Sequence, residues 1–125
     1  MISQGTQLFM GFNRPRRSNA VYVDLKGRKL ISGRNAQLFT PHEWTILVAL
    51  WNCMPHAAKR SDLIKAIWGD VTSDKATRTV DVHIAAIRKK LSAIDVGTID
   101  SIYGLGYRFI PGRKKLIFSD SEKEI

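Results

Sequence analysis

Cysteine is almost missing from this chain: its 125 residues include one, Cys53. A lone thiol forms no internal disulfide, and no Cys/His set with ligand spacing accompanies it. A disulfide-stapled scaffold and a structural zinc site are therefore both excluded. Long hydrophobic runs are missing too. No apolar stretch approaches the ~18 residues of a membrane helix, and Met1–Met10 has no basic segment ahead of an apolar one, so neither a spanning helix nor a secretory signal is expected. A reducing cytoplasm fits this composition. Acidic residues are scarce, with 11 Asp and Glu against 20 Lys and Arg and a formal charge of +9. The remainder is ordinary: 44% apolar and 25% charged residues rule out wholesale disorder. A chain of this length makes one domain that buries roughly 65% of its unfolded surface, enough for a core without staples.

Catalytic signatures are also lacking. His42-Glu43 opens an H-E-x-x-H zinc pattern, but Ile46 stands where the second ligand belongs. Gly104-Leu105-Gly106 is a lone G-x-G without a third glycine or a following helix. Cys53 lies among apolar neighbours and reads as an inert core thiol. No enzyme activity, cofactor, metal or small-molecule ligand is expected.

What the chain does have is positive charge, unevenly spread. Residues 1–39 carry seven basic side chains and one acidic one, residues 40–95 eight and six, and residues 96–125 five and four. A small basic domain points to an anionic partner, nucleic acid first and a membrane surface second.

Three zones follow along the chain. In the first, Val21, Val23 and Leu25 alternate with polar residues, Lys26-Gly27-Arg28 reads as a turn, and Leu30-Ile31 precedes Ser32-Gly33, all signs of short strands. Before them, Leu8-Phe9-Met10 is a candidate strand and Asn13–Asn19 a basic, Pro-interrupted loop or mobile arm containing Arg14, Arg16 and Arg17. The central zone is helical. Thr40-Pro41-His42-Glu43 places a Thr N-cap, a Pro at the first helical position and a Glu three residues after the cap. Trp44, Leu47, Val48 and Trp51 continue at helical spacing to about Cys53, and Pro55 stops the helix. Ser61-Asp62 is expected to cap a second helix with the stripe Leu63, Ile64, Ile67 and Trp68, ended by Gly69. A polar loop from Asp70 to Ala76 leads to a third helix with Val80, Ile84, Ile87 and Leu91 inside. The last zone reads as a hairpin, Thr98–Tyr103 and Tyr107–Ile110 about the Gly104-Leu105-Gly106 turn, closed by Pro111-Gly112. The domain is thus bounded at residues 20–112, with a strand and basic arm over 1–19 and a flexible tail over 113–125.

The third helix carries the most information. With Ile84 at the centre of the buried face and about 100° per residue, Arg78, Thr79, Val82, Ala86 and Lys89 fall outward, flanked by Ala85 and Lys90. Such a face suits a helix laid in a major groove, with cations reaching phosphates and small apolar groups touching thymine methyls. It equally describes a solvated helix face.

Four motifs in order decide between these. Leu38-Phe39-Thr40-Pro41-His42-Glu43-Trp44 resembles an "LTPxEF" helix start, and Leu63 to Gly69 resembles "LLxxVWG". Arg78-Thr79-Val80-Asp81-Val82-His83-Ile84 with Ile87-Arg88-Lys89-Lys90-Leu91 resembles "RTVDVHIxxLRKKL", and Ser101 to Phe109 resembles "TVxGxGYRF". From Ala20 to Pro111 the chain resembles the winged-helix effector domain of OmpR/PhoB-type response regulators. The resemblance implies an α+β winged helix-turn-helix: an N-terminal antiparallel sheet, three helices with the third for recognition, and a C-terminal β-hairpin wing. It implies a sequence-preferring, double-stranded DNA-binding transcription regulator of a bacterium or bacterial virus. Trp68, Arg78, Thr79 and Arg88 then stand at phosphate positions, Val82, His83, Ala86 and Lys89 on the recognition face, and Ser101, Tyr103 and Arg108 on the wing. Loop residues Asp70, Val71, Thr72, Ser73, Asp74 and Lys75 correspond to the segment that meets RNA polymerase in family activators. Arg14, Arg16 and Arg17 form an additional DNA-contacting arm. Structural roles compete at some positions: Trp68 with the core, Asp81 as an ion-pair partner, and His83 as a residue that packs or bonds locally rather than switching with pH.

Three departures qualify the resemblance. Positions 85 and 86, often polar or basic in the family, are both Ala, and Tyr103 stands at the wing tip where some members carry Arg. Losing a bidentate Arg contact removes about 1–3 kcal/mol of base discrimination. Residues 1–19 are also too few for the receiver that usually precedes this module, and the Met1 start favours a whole gene product. An alternative follows from these departures: a protein-interaction module for RNA polymerase or another regulator, using the loop and a Trp44/Trp51 helix edge, with weak or nonspecific DNA binding. Family behaviour implies a monomer or weak dimer in solution and head-to-tail dimers on DNA.

Overall fold

The computed structural model describes residues 20–70 and 74–118. Arg14, Arg16, Arg17 and the Leu8–Met10 segment lie outside the described residues, as do Val71, Thr72, Ser73 and the acidic end of the chain.

Three short strands come first: β1 (Ala20–Asp24), β2 (Lys29–Ser32) and β3 (Asn35–Leu38), paired antiparallel in sequence order. Their alternation places Val21, Val23 and Leu30 inward, each fully buried. Leu25 lies past the end of β1 and stays 39% exposed, so the alternation stops one step earlier than the sequence pattern predicts.

Helix α1 (Pro41–Cys53) starts where the capping box predicts. The Glu43 amide donates to Thr40 Oγ1 at 3.2 Å, and the Thr40 amide donates to Glu43 Oε1 at 2.9 Å. The same carboxylate oxygen receives Lys90 Nζ from the third helix at 2.6 Å. Burial opposes charge on Glu43, but the bonds from Lys90 and Thr40 outweigh it and hold the carboxyl below its ordinary range. Farther along α1, Trp51 meets Trp44, Phe109 and Phe118 edge-on, with ring centroids 5.3–6.0 Å apart. Trp44 in turn meets Phe39 at 5.6 Å. This chain of rings joins α1 to both sheets. Trp44 and Trp51 are therefore core residues, each 7% exposed, which removes the helix edge that an interaction surface there would need. Cys53 is partly buried against the core.

A two-residue strand, β4 (Ala58–Lys59), leads straight into α2 (Arg60–Trp68). The expected Ser61-Asp62 cap is thus displaced: Lys59 is the N-cap, without a side-chain bond. Lys59 is held extended by pairing with Gly106, and the Arg60 amide donates to the Leu105 carbonyl at 3.4 Å, so the strand supplies what a capping side chain otherwise would. Helix α3 (Asp74–Ile94) begins earlier than the sequence predicts, which shortens the loop before it. Ala76 is already buried, while Val80, Ile84, Ile87 and Leu91 form the predicted inner stripe at 0% exposure.

The hairpin β5 (Gly97–Ile102) and β6 (Gly106–Pro111) pairs in register from Gly97↔Pro111 to Ile102↔Gly106, with β4 on its other edge. Its turn needs both glycines. Gly104 adopts φ +75°, and a Cβ on Gly106 would collide with the Ala58 carbonyl where β4 approaches.

The expected tail is corrected. After the hairpin, Lys114 Nζ donates to the Ile94 carbonyl at 3.0 Å, at the end of α3, and to Ser32 Oγ at 2.8 Å. Strand β7 (Lys115–Phe118) then pairs parallel with β1, completing the order β3-β2-β1-β7. The first sheet is consequently mixed rather than antiparallel. Leu116 packs against the core, and Phe118 meets Trp51. Among the described residues, no helix is long and apolar enough to cross a membrane.

The buried Glu43 junction yields a stability test. Glu43→Ala is expected to cost about 1.5–3 kcal/mol in urea unfolding, because it removes a charged acceptor from Lys90 and from the cap. A carboxyl held low in the folded state stabilises fully above its unfolded value, about 4.3, and that contribution fades as pH falls through the lower folded value. Glu43→Gln should flatten this acid limb.

Candidate nucleic-acid interface

The outward side of α3 is set by its buried stripe. Arg78, Val82, Ala85 and Lys89 are exposed, Val82 by 66%, with Thr79 and Ala86 half-buried between them. Thr79 Oγ1 donates to the Lys75 carbonyl at 2.8 Å, so its hydroxyl proton is engaged within the helix. Lys90, expected at the edge of this face, instead bonds Glu43 and belongs to the α1–α3 junction. Asp70 is exposed at the end of α2, 3.6 Å from Lys65.

One flank of the stripe meets the wing. Arg88 donates from Nε to the Ile99 carbonyl at 2.9 Å and from a terminal nitrogen to Ser101 Oγ at 2.8 Å. Its guanidinium carbon lies 5.7 Å from the centroid of the Tyr107 ring. Two of its five N–H donors are thus spent on β5, so Arg88 has a structural duty beside any external one. Tyr107 is also gripped by α2: Arg60 Nε donates to Asp81 Oδ1 at 3.0 Å, Arg60 donates to the Tyr107 hydroxyl at 3.2 Å, and that hydroxyl donates to Asp81 Oδ1. Burial, followed by the bond to Asp81, raises the phenol above its ordinary value. Asp81 is thus the ion-pair partner that its flank position predicts. Arg60 and Tyr107 escaped the sequence reading, since partners 47 residues apart leave no local pattern.

The wing itself splits. Ser101 pairs with Tyr107, on the face turned to Arg88, and at the tip Tyr103 is fully exposed. Arg108 pairs with Asp100 on the opposite face of the hairpin, 3.6 Å away, and lines a shallow apolar groove with Met54 and Pro55. Arg108 is therefore not gathered with the other candidate residues.

The second flank of α3 meets α1 and α2. The His83 ring lies 5.5 Å from His42, in the first turn of α1, and His42 lies 5.6 Å from Trp68, at the end of α2, each pair edge-on. Burial and then the neighbouring His42 lower the His83 pKa, only partly offset by Glu43. Trp68 is half-buried against the core, in keeping with its expected core role, and meets His42 edge-on. His42 escaped the sequence reading except as half of a zinc pattern.

The Arg60–Asp81–Tyr107 triangle predicts a measurable coupling. Its ionic pair is about 40% exposed on each side, so that bond is worth about 0.5–1 kcal/mol. Tyr107→Phe is expected to lose about 1 kcal/mol in chemical unfolding, and an Asp81→Asn background should absorb most of that loss.

Comparison with known proteins converges on one family. A family profile described as "Transcriptional regulatory protein, C terminal" matches residues 34–109. The uncharacterized transcriptional regulatory protein YclJ of Bacillus subtilis is 35% identical over 81 residues, covering 64% of this chain and 35% of that protein. The chain spans about a third of the length of the curated relatives it matches. Among solved structures, the DNA-binding domain of Bacillus subtilis CssR superposes with a TM-score of 0.62 at 25% identity, covering 73% of this chain and all of that one. The Klebsiella pneumoniae RstA DNA-binding domain, solved in complex with an RstA box, gives 0.59 at 27% identity, with 71% and 89% covered. The family is one of DNA-binding regulators and not of enzymes. With the α1–α2–α3 core, the hairpin wing and the matched profile in agreement, this chain belongs to the C-terminal winged-helix DNA-binding domains of OmpR/PhoB-type transcriptional regulators.

Proposed function

We propose that this protein is a sequence-preferring regulator of transcription that seats α3 in the major groove of duplex DNA and lays its wing along the backbone or minor groove. One observation carries the reading. The exposed stripe Arg78–Val82–Ala85–Lys89 is held by Arg88 against the same hairpin that presents Ser101 and Tyr103. On this reading Arg78, Thr79, Lys89, Trp68 and Ser101 meet phosphates, Val82 and Ala86 touch base edges, and Arg88 both braces the wing and reaches the backbone. The RstA relative, solved on its own DNA box, supports duplex DNA as the ligand. Arg14, Arg16 and Arg17 precede β1 and extend the contact along the backbone or into a minor groove. Arg108, on the far side of the hairpin, contributes charge rather than a contact.

Two small alanines on the reading face leave direct readout thin, so positioning on phosphates supplies most of the affinity. Two copies bind head to tail on direct repeats about one helical turn apart. The working compartment is the bacterial cytoplasm. The segment from Asp70 to Lys75 is the surface offered to RNA polymerase, and polymerase contact through it accompanies DNA binding rather than replacing it, because Trp44 and Trp51 are buried.

The test is the salt dependence of binding. Lys89→Ala and Arg78→Ala should each weaken binding to every duplex and reduce the slope of log K against log salt by about one. Slopes unchanged in both variants contradict the proposed docking.

A further inference from the structure

A helix lying in a major groove has a phosphate backbone on either side. On one flank of α3, Arg88 offers a permanent charge beside Ser101. The other flank is different. Its cation, Lys90, is engaged by the buried Glu43, and what that flank presents is His42, Trp68 and His83.

We propose that His42, Trp68 and His83, gathered from the start of α1, the end of α2 and the flank of α3, form one subsite for a DNA backbone phosphate that takes up a proton from solvent when the duplex binds. The inference rests on the docking described above and adds the residue His42 and a proton to it. His42 is exposed and His83 half-buried, so the pair borders the outward stripe beside Thr79 and Ala86. A charge on one imidazole disfavours a second on a ring 5.5 Å away, so a phosphate set against the cluster draws one proton to it rather than two. In the free protein, burial and the neighbouring His42 disfavour the charged form of His83. A phosphate placed against the pair reverses the balance by favouring the imidazolium. The charged groups nearby do not substitute for it. Glu43 favours the cation but is neutralised by Lys90, Lys65 pairs with Asp70, and Asp81 is bound to Arg60 and Tyr107 on the opposite flank. His83 alone gives the sequence no reason to predict this behaviour; His42 beside it does.

Proton uptake on binding makes affinity rise as pH falls. The test is titration of the whole 125-residue chain with a mixed-sequence duplex at constant ionic strength, between about pH 8 and about pH 6, with calorimetry in two buffers of different ionisation enthalpy. The expected result is uptake approaching one proton per bound chain, with affinity rising by up to about tenfold per pH unit at the steepest point. His42→Gln should reduce the uptake, and His42→Gln/His83→Gln should abolish it together with the rise in affinity at low pH. His56 is the third and last histidine and lies away from the cluster, so His56→Gln should leave the uptake unchanged. A flat pH profile in the unmodified chain, or a full pH dependence surviving in the double variant, overturns the proposal. The docking itself fails under a different result: no salt-dependent duplex binding at any pH.

Discussion

The guanidinium of Arg88 is the interaction on which the presented surface depends. A β-hairpin that touched α3 only through apolar side chains would be free to rock over it, because hydrophobic contact is non-directional. Arg88 removes that freedom with two directional bonds, one to a β5 carbonyl and one to Ser101, while its guanidinium carbon lies over the Tyr107 ring. Tyr107 is itself tied to Arg60 of α2 and Asp81 of α3. Helix, wing and the preceding helix therefore form one body. A surface made from two elements keeps its shape only under such a constraint.

Glu43 does for the interior what Arg88 does for the surface. It closes the first turn of α1 and binds Lys90 from α3 through one oxygen, which ties α3 to α1 at the rotation its buried stripe sets. That rotation decides which residues face outward. The pair thus shapes the candidate surface from the interior: it consumes the cation of one flank and leaves imidazoles there, whereas the other flank retains an arginine. The two sides of the same helix are electrostatically unequal for a reason found in the core.

Legibility in the sequence followed the range of the interactions. The capping box at Thr40, the stripe Val80–Ile84–Ile87–Leu91 and the glycine turn of the wing are local patterns, and each stands where the sequence places it. The start of α2 was not legible, because its first amide is satisfied by the carbonyl of Leu105, 45 residues later, rather than by Ser61 or Asp62. Strand β7 was hidden by its neighbours: Arg113, Lys114 and Lys115 resemble a tail until Lys114 is seen closing the end of α3. On the candidate surface, Arg78, Val82 and Lys89 were readable from helical periodicity alone. His42, Arg60 and Tyr107 were not, since each acquires its neighbours from elements far away in the chain. Arg108 shows the converse limit: a basic residue in a matching motif is turned by strand alternation to the face of the hairpin opposite Ser101 and Tyr107.

An outward face with Val82, Ala85 and Ala86 at its centre offers few hydrogen-bonding groups to bases, so under the proposed docking sequence preference rests on shape complementarity, apolar contact and a rigid wing. Selection from a random duplex library at ~150 mM salt, near physiological ionic strength, followed by sequencing, tests it most directly. An enriched motif in direct repeat, with about one helical turn between half-sites, is expected. Uniform recovery of all sequences would contradict it and reduce this surface to a nonspecific binder of phosphates.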